Sequence, residues 1–221
     1  MAEAAEILRR LREALRVPTA ATVHPAVERR EARAALPAGG RTREEMLEIF
    51  LRHTEVLRVR VIRGPAATCF ADLARAEGWQ RVAGHHGPLT DSAVAAAGLP
   101  ILWTDSGYAP RDLAAVDAGV TGCEALIAQT GSVLIAAGSC GGRALSVLPP
   151  HHVVVATLEQ LVPDLTAAYE GLQRRYGQAW PGSLSLITGP SRTGDIERIL
   201  VLGAHGPEKM TIILDGPATG S

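Results

Sequence analysis

The sequence predicts an α/β fold, a largely parallel sheet flanked by helices and preceded by an N-terminal helical extension. Three observations predict it. From Val56 onward, short aliphatic runs alternate with stretches of helical periodicity, the layout of strand–helix–strand units. Residues 1–55 lack those runs and carry amphipathic stretches broken by Pro18, Pro25 and Pro37, so an extension (1–55) and an α/β domain (56–221) are expected. Finally, 47% of residues are hydrophobic while 22 Lys and Arg offset 23 Asp and Glu. That balance fits a globular domain with an aliphatic core and argues against a basic nucleic-acid binder or a disordered tail.

The extension begins with Ile7, Leu8, Leu11 and Leu15 on one helical face, and Pro18 ends that helix. The charged start lacks the apolar stretch of a secretory signal, and no apolar run reaches the ~20 residues of a bilayer span, so a cytoplasmic location is expected. A connector with a short helix over 27–36 follows. Thr42 with Glu45 spells a capping box, opening a helix that carries Met46, Leu47, Ile49, Phe50 and Leu57. This extension is expected to dock on the core or on another subunit.

In the α/β part, "LRVRVI" reads as a strand and "AATCFADLARAEGW" as a helix closed by Gly78. "QRVAG" and "LPILWTD" are further strands. "DAGVTGCEALIAQTGSVLIAAG" reads as two long β segments around a Thr130–Gly131 turn. "HHVVVAT" is a strand, and Pro163 is expected at the first position of a helix bearing Leu165, Ala168, Tyr169, Leu172 and Tyr176 on one face. "SLSLIT" and "MTIILD" complete the strands.

Two Gly-rich loops draw chemical interest. Gly189 and Gly194 have P-loop separation, but Asp195 and Ile196 stand where Lys and a hydroxyl would hold phosphate and Mg²⁺, which excludes a nucleotide triphosphatase. What remains is an anion-binding turn, with Ser191, Arg192 and Thr193, leading into a helix whose first turn includes Asp195. The second loop is Gly138–Arg143, where Gly141 and Gly142 let backbone N–H groups approach an anion and Arg143 adds a fork of donors. Both loops follow apolar strands, so Gly141, Gly142, Arg143, Ser191, Arg192 and Thr193 are expected to line one pocket, with His205 joining them.

The remaining candidates have plainer readings. His85–His86 and His151–His152 are adjacent pairs that point to opposite faces of extended backbone, so each is expected to hold one half-buried and one solvated imidazole, and no metal site is expected. Glu124, in an apolar β segment, is expected to face solvent. Cys69, Cys123 and Cys140 are far apart with no CxxC, which argues against zinc, an iron–sulfur cluster and a disulfide framework. Cys140 would need a lowered pKa to act as a nucleophile, and no histidine is paired with it locally.

Two blocks carry a resemblance to a known family. "GVTGCEALIAQTGSVLIAAGSCGGRALSVLPPHHVVV" and "SLITGPSRTGDIERILVLGAHGPEKMTIIL" resemble the LUD domain, whose pattern runs TG-acid…A-TGT…R…LP-HH and ISGPSRTADIE…LGVHGP. They span most of residues 116–214. Gln129–Ser132 departs from the family's acid-TGT, though Ser keeps the hydroxyl. The resemblance implies a fold similar to the coenzyme A transferases, ribose-phosphate isomerase and glucosamine-phosphate deaminase. It also implies a part in lactate utilization, oxidising L-lactate to pyruvate with two partner proteins that carry iron–sulfur clusters, while this chain itself binds no cofactor. The resemblance transfers no catalytic residue. A stand-alone enzyme acting on a small phosphorylated or acyl-coenzyme A substrate stays open, although Glu124 is not followed by the Gly-rich turn of coenzyme A transferases. A binding-only regulator stays open too.

Overall fold

The computed structural model describes residues 38–194, 200–202 and 206–217, together with residues 6, 7, 9, 10 and 13. The chain divides into two units, residues 1–36 and 37–221. The described residues of the first unit are helical, and Arg9 pairs with Glu6 at 2.6 Å and Glu13 at 2.8 Å. The face formed by Leu8, Leu11 and Leu15 and the helix expected over 27–36 lie outside the described residues.

The second unit opens with α1 (Arg43–Val56). Its capping box is formed: the Glu45 N–H donates to Thr42 Oγ1 at 3.2 Å, and the Thr42 N–H donates back to Glu45 Oε2 at 3.3 Å. Phe50 is fully buried in the core, with Met46, Leu47, Ile49 and Leu57 packed around it. α1 therefore belongs to the 37–221 unit. It ends through Arg58, whose φ of 59° is left-handed, while the Val59 N–H returns to the Thr54 carbonyl at 2.8 Å.

Twelve strands follow among the described residues: β1 (Arg60–Arg63), β2 (Val82–Gly84), β3 (Ile101–Trp103), β4 (Ala118–Thr121), β5 (Ala125–Ile127), β6 (Ser132–Ala136), β7 (His151–Thr157), β8 (Leu161–Val162), β9 (Leu184–Ile187), β10 (Arg192–Gly194), β11 (Leu200–Leu202) and β12 (Lys209–Asp215). The helices between them are α2 (Ala66–Glu77), α3 (Thr90–Ala96), α4 (Pro110–Ala114), α5 (Gly142–Leu145) and α6 (Leu165–Tyr176). As the sequence predicts, α2 closes at Gly78, left-handed at φ 70°.

The large sheet has six strands in the order β1-β12-β7-β4-β2-β3, every pair parallel. A second sheet runs β8-β5-β6-β9, with β6 antiparallel to both β5 and β9. Alternation along β7 and β12 separates the layers. Val153, Val155 and Ile213 pack with Phe70, Leu73 and Val94 on one face of the large sheet. Val154, Ile212 and Leu214 pack on the other face against Leu126 and Val133 of the small sheet and Phe50 of α1. Ala168 and Leu172 of α6 cover the far face of the small sheet.

Several expectations are corrected. The long first β segment of "DAGVTGCEALIAQTG" is two strands, because the chain leaves the large sheet after Thr121 and joins the small one at Ala125. The hairpin turn at Thr130–Gly131 does form, with Gly131 at φ 65°. α6 starts at Leu165, not Pro163, since Asp164 caps it by accepting the Ala167 N–H at 2.8 Å. The turn after Gly189 leads into strand β10, which pairs antiparallel with β11. The apolar Leu200–Leu202 run therefore extends as strand and not as helix, and Asp195 lies outside the described residues.

Both His151 and His152 are buried, against the expectation of one solvated ring, because β7 is central and covered on both faces. His151 Nε2 lies 2.8 Å from Thr211 Oγ1 and His152 Nε2 lies 2.9 Å from Thr121 Oγ1. Burial pushes the His151 pKa down to about 4 and that of His152 to about 3. Among the described residues, no helix is long and apolar enough to cross a membrane.

The two imidazoles make stability pH-dependent. Each pKa is lower in the fold than its ordinary 6.5, so the unfolded chain binds more protons as pH falls below that value. Their contribution is whole at neutral pH and is lost on acidification from about 6.5 toward the folded values, at about 1.4 kcal/mol per pH unit for each ring. Urea unfolding at pH 7 and pH 5 is expected to differ by about 3–4 kcal/mol on this account. Imidazole proton shifts that stay those of the neutral ring at pH 5 confirm the source; a stability unchanged between the two pH values contradicts it.

Candidate functional site

Because β2, β4 and β7 are parallel, the loops after Gly84, Thr121 and Thr157 emerge at one end of the large sheet. That carboxyl end is where ligands bind in open α/β sheets. A cavity of about 320 Å³ opens there, lined by His85 after β2, Cys123 and Glu124 after β4, and Gln160 after β7. Ser139 and Cys140, after β6, and Arg175 of α6 complete the wall.

Glu124 is the center of the hydrogen bonding. Its side chain is only 3% exposed, where an unpaired carboxylate would be costly. The Tyr176 hydroxyl donates to Oε1 at 2.7 Å, and the Ser139 hydroxyl donates to the same oxygen. Arg175 donates to Oε2 at 3.0 Å from a side chain that is 59% exposed. Burial raises the Tyr176 pKa, and the Glu124 carboxylate adds to this against the opposing bond from Ser139. The backbone sets this geometry: the Glu124 N–H donates to the Leu134 carbonyl at 2.8 Å, fixing the crossing from β4 to β5. Gln160 braces the same loop, with its amide donating to the Cys123 carbonyl and its Oε1 accepting the Thr157 N–H at 2.8 Å.

On the opposite wall, His85 Nδ1 lies 2.9 Å from Asp105 Oδ1, at ion-pair distance but off the line of a hydrogen bond. Asp105 Oδ2 accepts the His86 N–H at 2.9 Å. Burial acts to raise the Asp105 pKa, but that bond and the neighboring His85 outweigh it and leave the carboxyl lowered. His86 stacks on Trp103 with ring centroids 4.0 Å apart. Burial pushes the Cys140 thiol up despite a hydrogen bond to Ser139, so it is not an activated nucleophile. Among the described residues, no three His, Cys, Asp or Glu side chains converge as a metal-ligand set.

The structure divides the residues expected to share one pocket. Gly141 is left-handed at φ 81°, and a Cβ there would lie 2.6 Å from the His85 Cβ and 2.5 Å from Leu145 Cδ2. The Gly138–Arg143 loop is thus packed onto the carboxyl-end site, with Gly142 beginning α5 and Arg143 exposed. Ser191 and Arg192 are at the other end of the sheet. The Ser191 N–H donates to the Pro207 carbonyl at 2.8 Å, just before β12, and the Arg192 guanidinium donates to the Leu57 carbonyl, just before β1. The Thr193 backbone pairs with Val201. His205 lies outside the described residues. The reason is strand direction: the loops follow β6 and β9, which are antiparallel neighbors, so they leave at opposite ends.

Glu124 corrects a further expectation, since it faces the interior and not solvent. Tyr176 reads in sequence only as the last member of the α6 apolar stripe. The signal for its role is a hydroxyl ending that stripe beside Arg175. Sequence reasoning offered no signal for Gln160 or for the pairing of His85 with Asp105, which depends on the adjacency of β2 and β3.

The LUD domain matches residues 100–214 of this chain, a stretch that includes Glu124, Ser139, Cys140, Gln160, Arg175 and Tyr176. Lactate utilization protein C of Geobacillus sp. (strain WCH70) is 38% identical over 98 residues, which cover 43% of this chain and 41% of that protein. The protein of that name from Bacillus subtilis (strain 168) is 35% identical over 98 residues, with the same two shares. That from Deinococcus radiodurans is 31% identical over 120 residues, covering 54% of this chain and 56% of the relative. The chain thus spans 41% to 56% of the length of these relatives. The crystal structure of a DUF162 family protein from Deinococcus radiodurans has the same fold, with a TM-score of 0.62 at 23% identity, over 80% of this chain and 100% of that one.

Three substitutions test the construction of this site. Gly141→Ala is expected to destabilize the domain by about 2–3 kcal/mol through strained backbone and collision with His85, seen as a lowered Tm. Glu124→Gln is expected to cost about 1–3 kcal/mol and Tyr176→Phe about 1 kcal/mol. Denaturation of both single variants and the double variant should give a coupling of about 0.5 kcal/mol or more; strict additivity would show that the two groups do not interact.

Proposed function

We propose that this chain, which belongs to the LUD domain family, takes part in lactate utilization as a component of the oxidation of L-lactate to pyruvate, alongside iron–sulfur proteins. The observation that carries this reading is that the residues matched by the LUD domain, 100–214, include Glu124, Ser139 and Cys140 of the carboxyl-end cavity, while relatives of this chain are named lactate utilization protein C. About 320 Å³ is at the small end of ligand pockets and suits a short hydroxy acid better than a dinucleotide. Arg175 brings a forked cation to the rim, where it can take up a carboxylate. Oxidation of a hydroxy acid releases two electrons, which the iron–sulfur partners would accept; the residues here would bind the acid and position its protons. The chain holds no cofactor in this reading and works in the cytoplasm.

A second reading is a stand-alone enzyme for a small phosphorylated or acyl-coenzyme A substrate. It draws on the buried Glu124 and the Ser139 hydroxyl at the same strand ends.

A strain lacking this chain is expected to lose growth on L-lactate while growing normally on pyruvate, with growth restored by the wild-type chain. The chain is also expected to co-purify with iron–sulfur proteins. Complementation with Arg175→Ala tests the site itself and should restore growth poorly at equal protein level. Normal lactate oxidation in the deletion strain would overturn the first reading and turn attention to the second.

A further inference from the structure

The other end of the large sheet has a cavity of its own. The amino ends of β1, β7 and β12 open into about 150 Å³ lined by Arg58, Arg60, Glu77, His151, Glu208 and Lys209. Lys209 is paired with Glu77 at 2.6 Å. The lining then carries two further arginines, Arg58 and Arg60, to the one remaining acid, Glu208, and neither arginine has an ion-pair partner among the described residues. His151 is 95% buried by its 5% exposure; its Nε2 is taken by Thr211, and its Nδ1 has no partner. A buried nitrogen left without a partner calls for an explanation.

Arg58 adds an independent observation. It is left-handed at φ 59°, just past the end of α1, where glycine would sit without strain. Arg58 therefore lines the cavity at a conformational cost, a pattern that strained non-glycine residues show at ligand sites. Distant segments also converge here. Pro190, from the Gly189–Gly194 turn, forms part of the wall. The Arg192 guanidinium donates to the Leu57 carbonyl beside Arg58, and the Glu208 N–H donates to the Pro150 carbonyl at 2.8 Å.

We propose that this amino-end cavity is a second binding site, separate from the Glu124 cavity, for a small oxyanion held by the forked donors of Arg58 and Arg60 above the His151 ring. At about 150 Å³ it is smaller than the roughly 300 Å³ at which pockets for drug-sized ligands begin. It takes an inorganic oxyanion or the terminal phosphate or carboxylate of a larger molecule.

Calorimetric titration of the full chain at constant ionic strength, with inorganic phosphate and separately with sulfate, tests the site. Saturable binding of at least one is expected. Arg58→Gly and Arg60→Gln should each weaken that binding about tenfold or more, whereas Arg111→Gln, at an exposed arginine outside both cavities, should leave it unchanged. Arg58→Gly relieves the left-handed strain, so its Tm is expected to match or exceed that of the wild type. If its Tm falls instead, Arg60→Gln alone decides, because it leaves the β1 backbone pairing untouched. Absence of saturable binding of either anion, or equal binding by the wild type and both arginine variants, would overturn the proposal. Binding lost in Glu124→Gln but kept in both arginine variants would overturn it too, and would place the anion in the carboxyl-end cavity.

Discussion

A carboxylate almost wholly removed from water sets the terms for this domain. Glu124 sits where the chain passes from the large sheet to the small one, and its side chain is 3% exposed. Leaving such a charge unmatched costs several kcal/mol, so the fold must bring donors to it. The donors come from separate elements: Ser139 from the loop after β6, and Arg175 and Tyr176 from the end of α6. Satisfying one carboxylate thus fixes the loop after β6 and the end of α6 against the crossing. The cavity at the carboxyl ends is the space left between that assembly and His85.

Strand direction distributes the rest of the chemistry. The small sheet is mixed, and β6 and β9 run antiparallel within it. A loop following β6 is delivered to the carboxyl ends of the large sheet, and a loop following β9 to the amino ends. The Gly-rich segments are similar in composition but serve opposite ends of the molecule. Gly138–Arg143 packs on His85 through Gly141, and Gly189–Gly194 packs on the start of β1 through Arg192 and Gly189.

Burial on both faces explains the aliphatic composition and the state of the histidines. β7 is flanked by β4 and β12, and one sheet face meets α2 and α3 while the other meets the small sheet. Side chains of either parity along β7 are therefore interior. His151 and His152 are held neutral there, each given one hydroxyl partner from a neighboring strand, Thr211 or Thr121. The His85–His86 pair lies beyond the end of β2, where coverage ends, and matches the half-buried and solvated pair the sequence predicts.

By itself, the sequence determined the fold class, the main strands and helices, the capping of α1 by Thr42 and Glu45, the closure of α2 at Gly78 and the family. These rest on local periodicity, turn chemistry or a contiguous motif, all written along the chain. Only the tertiary structure decided which sheet each strand joins, and that choice broke the long segment at Gly122–Glu124, buried Glu124, enclosed both rings at 151 and 152, and separated Arg143 from Arg192. Strand direction and sheet membership follow from hydrogen bonds between residues far apart in sequence. Two loops of the same local character carry no mark of the end of the sheet at which they will emerge.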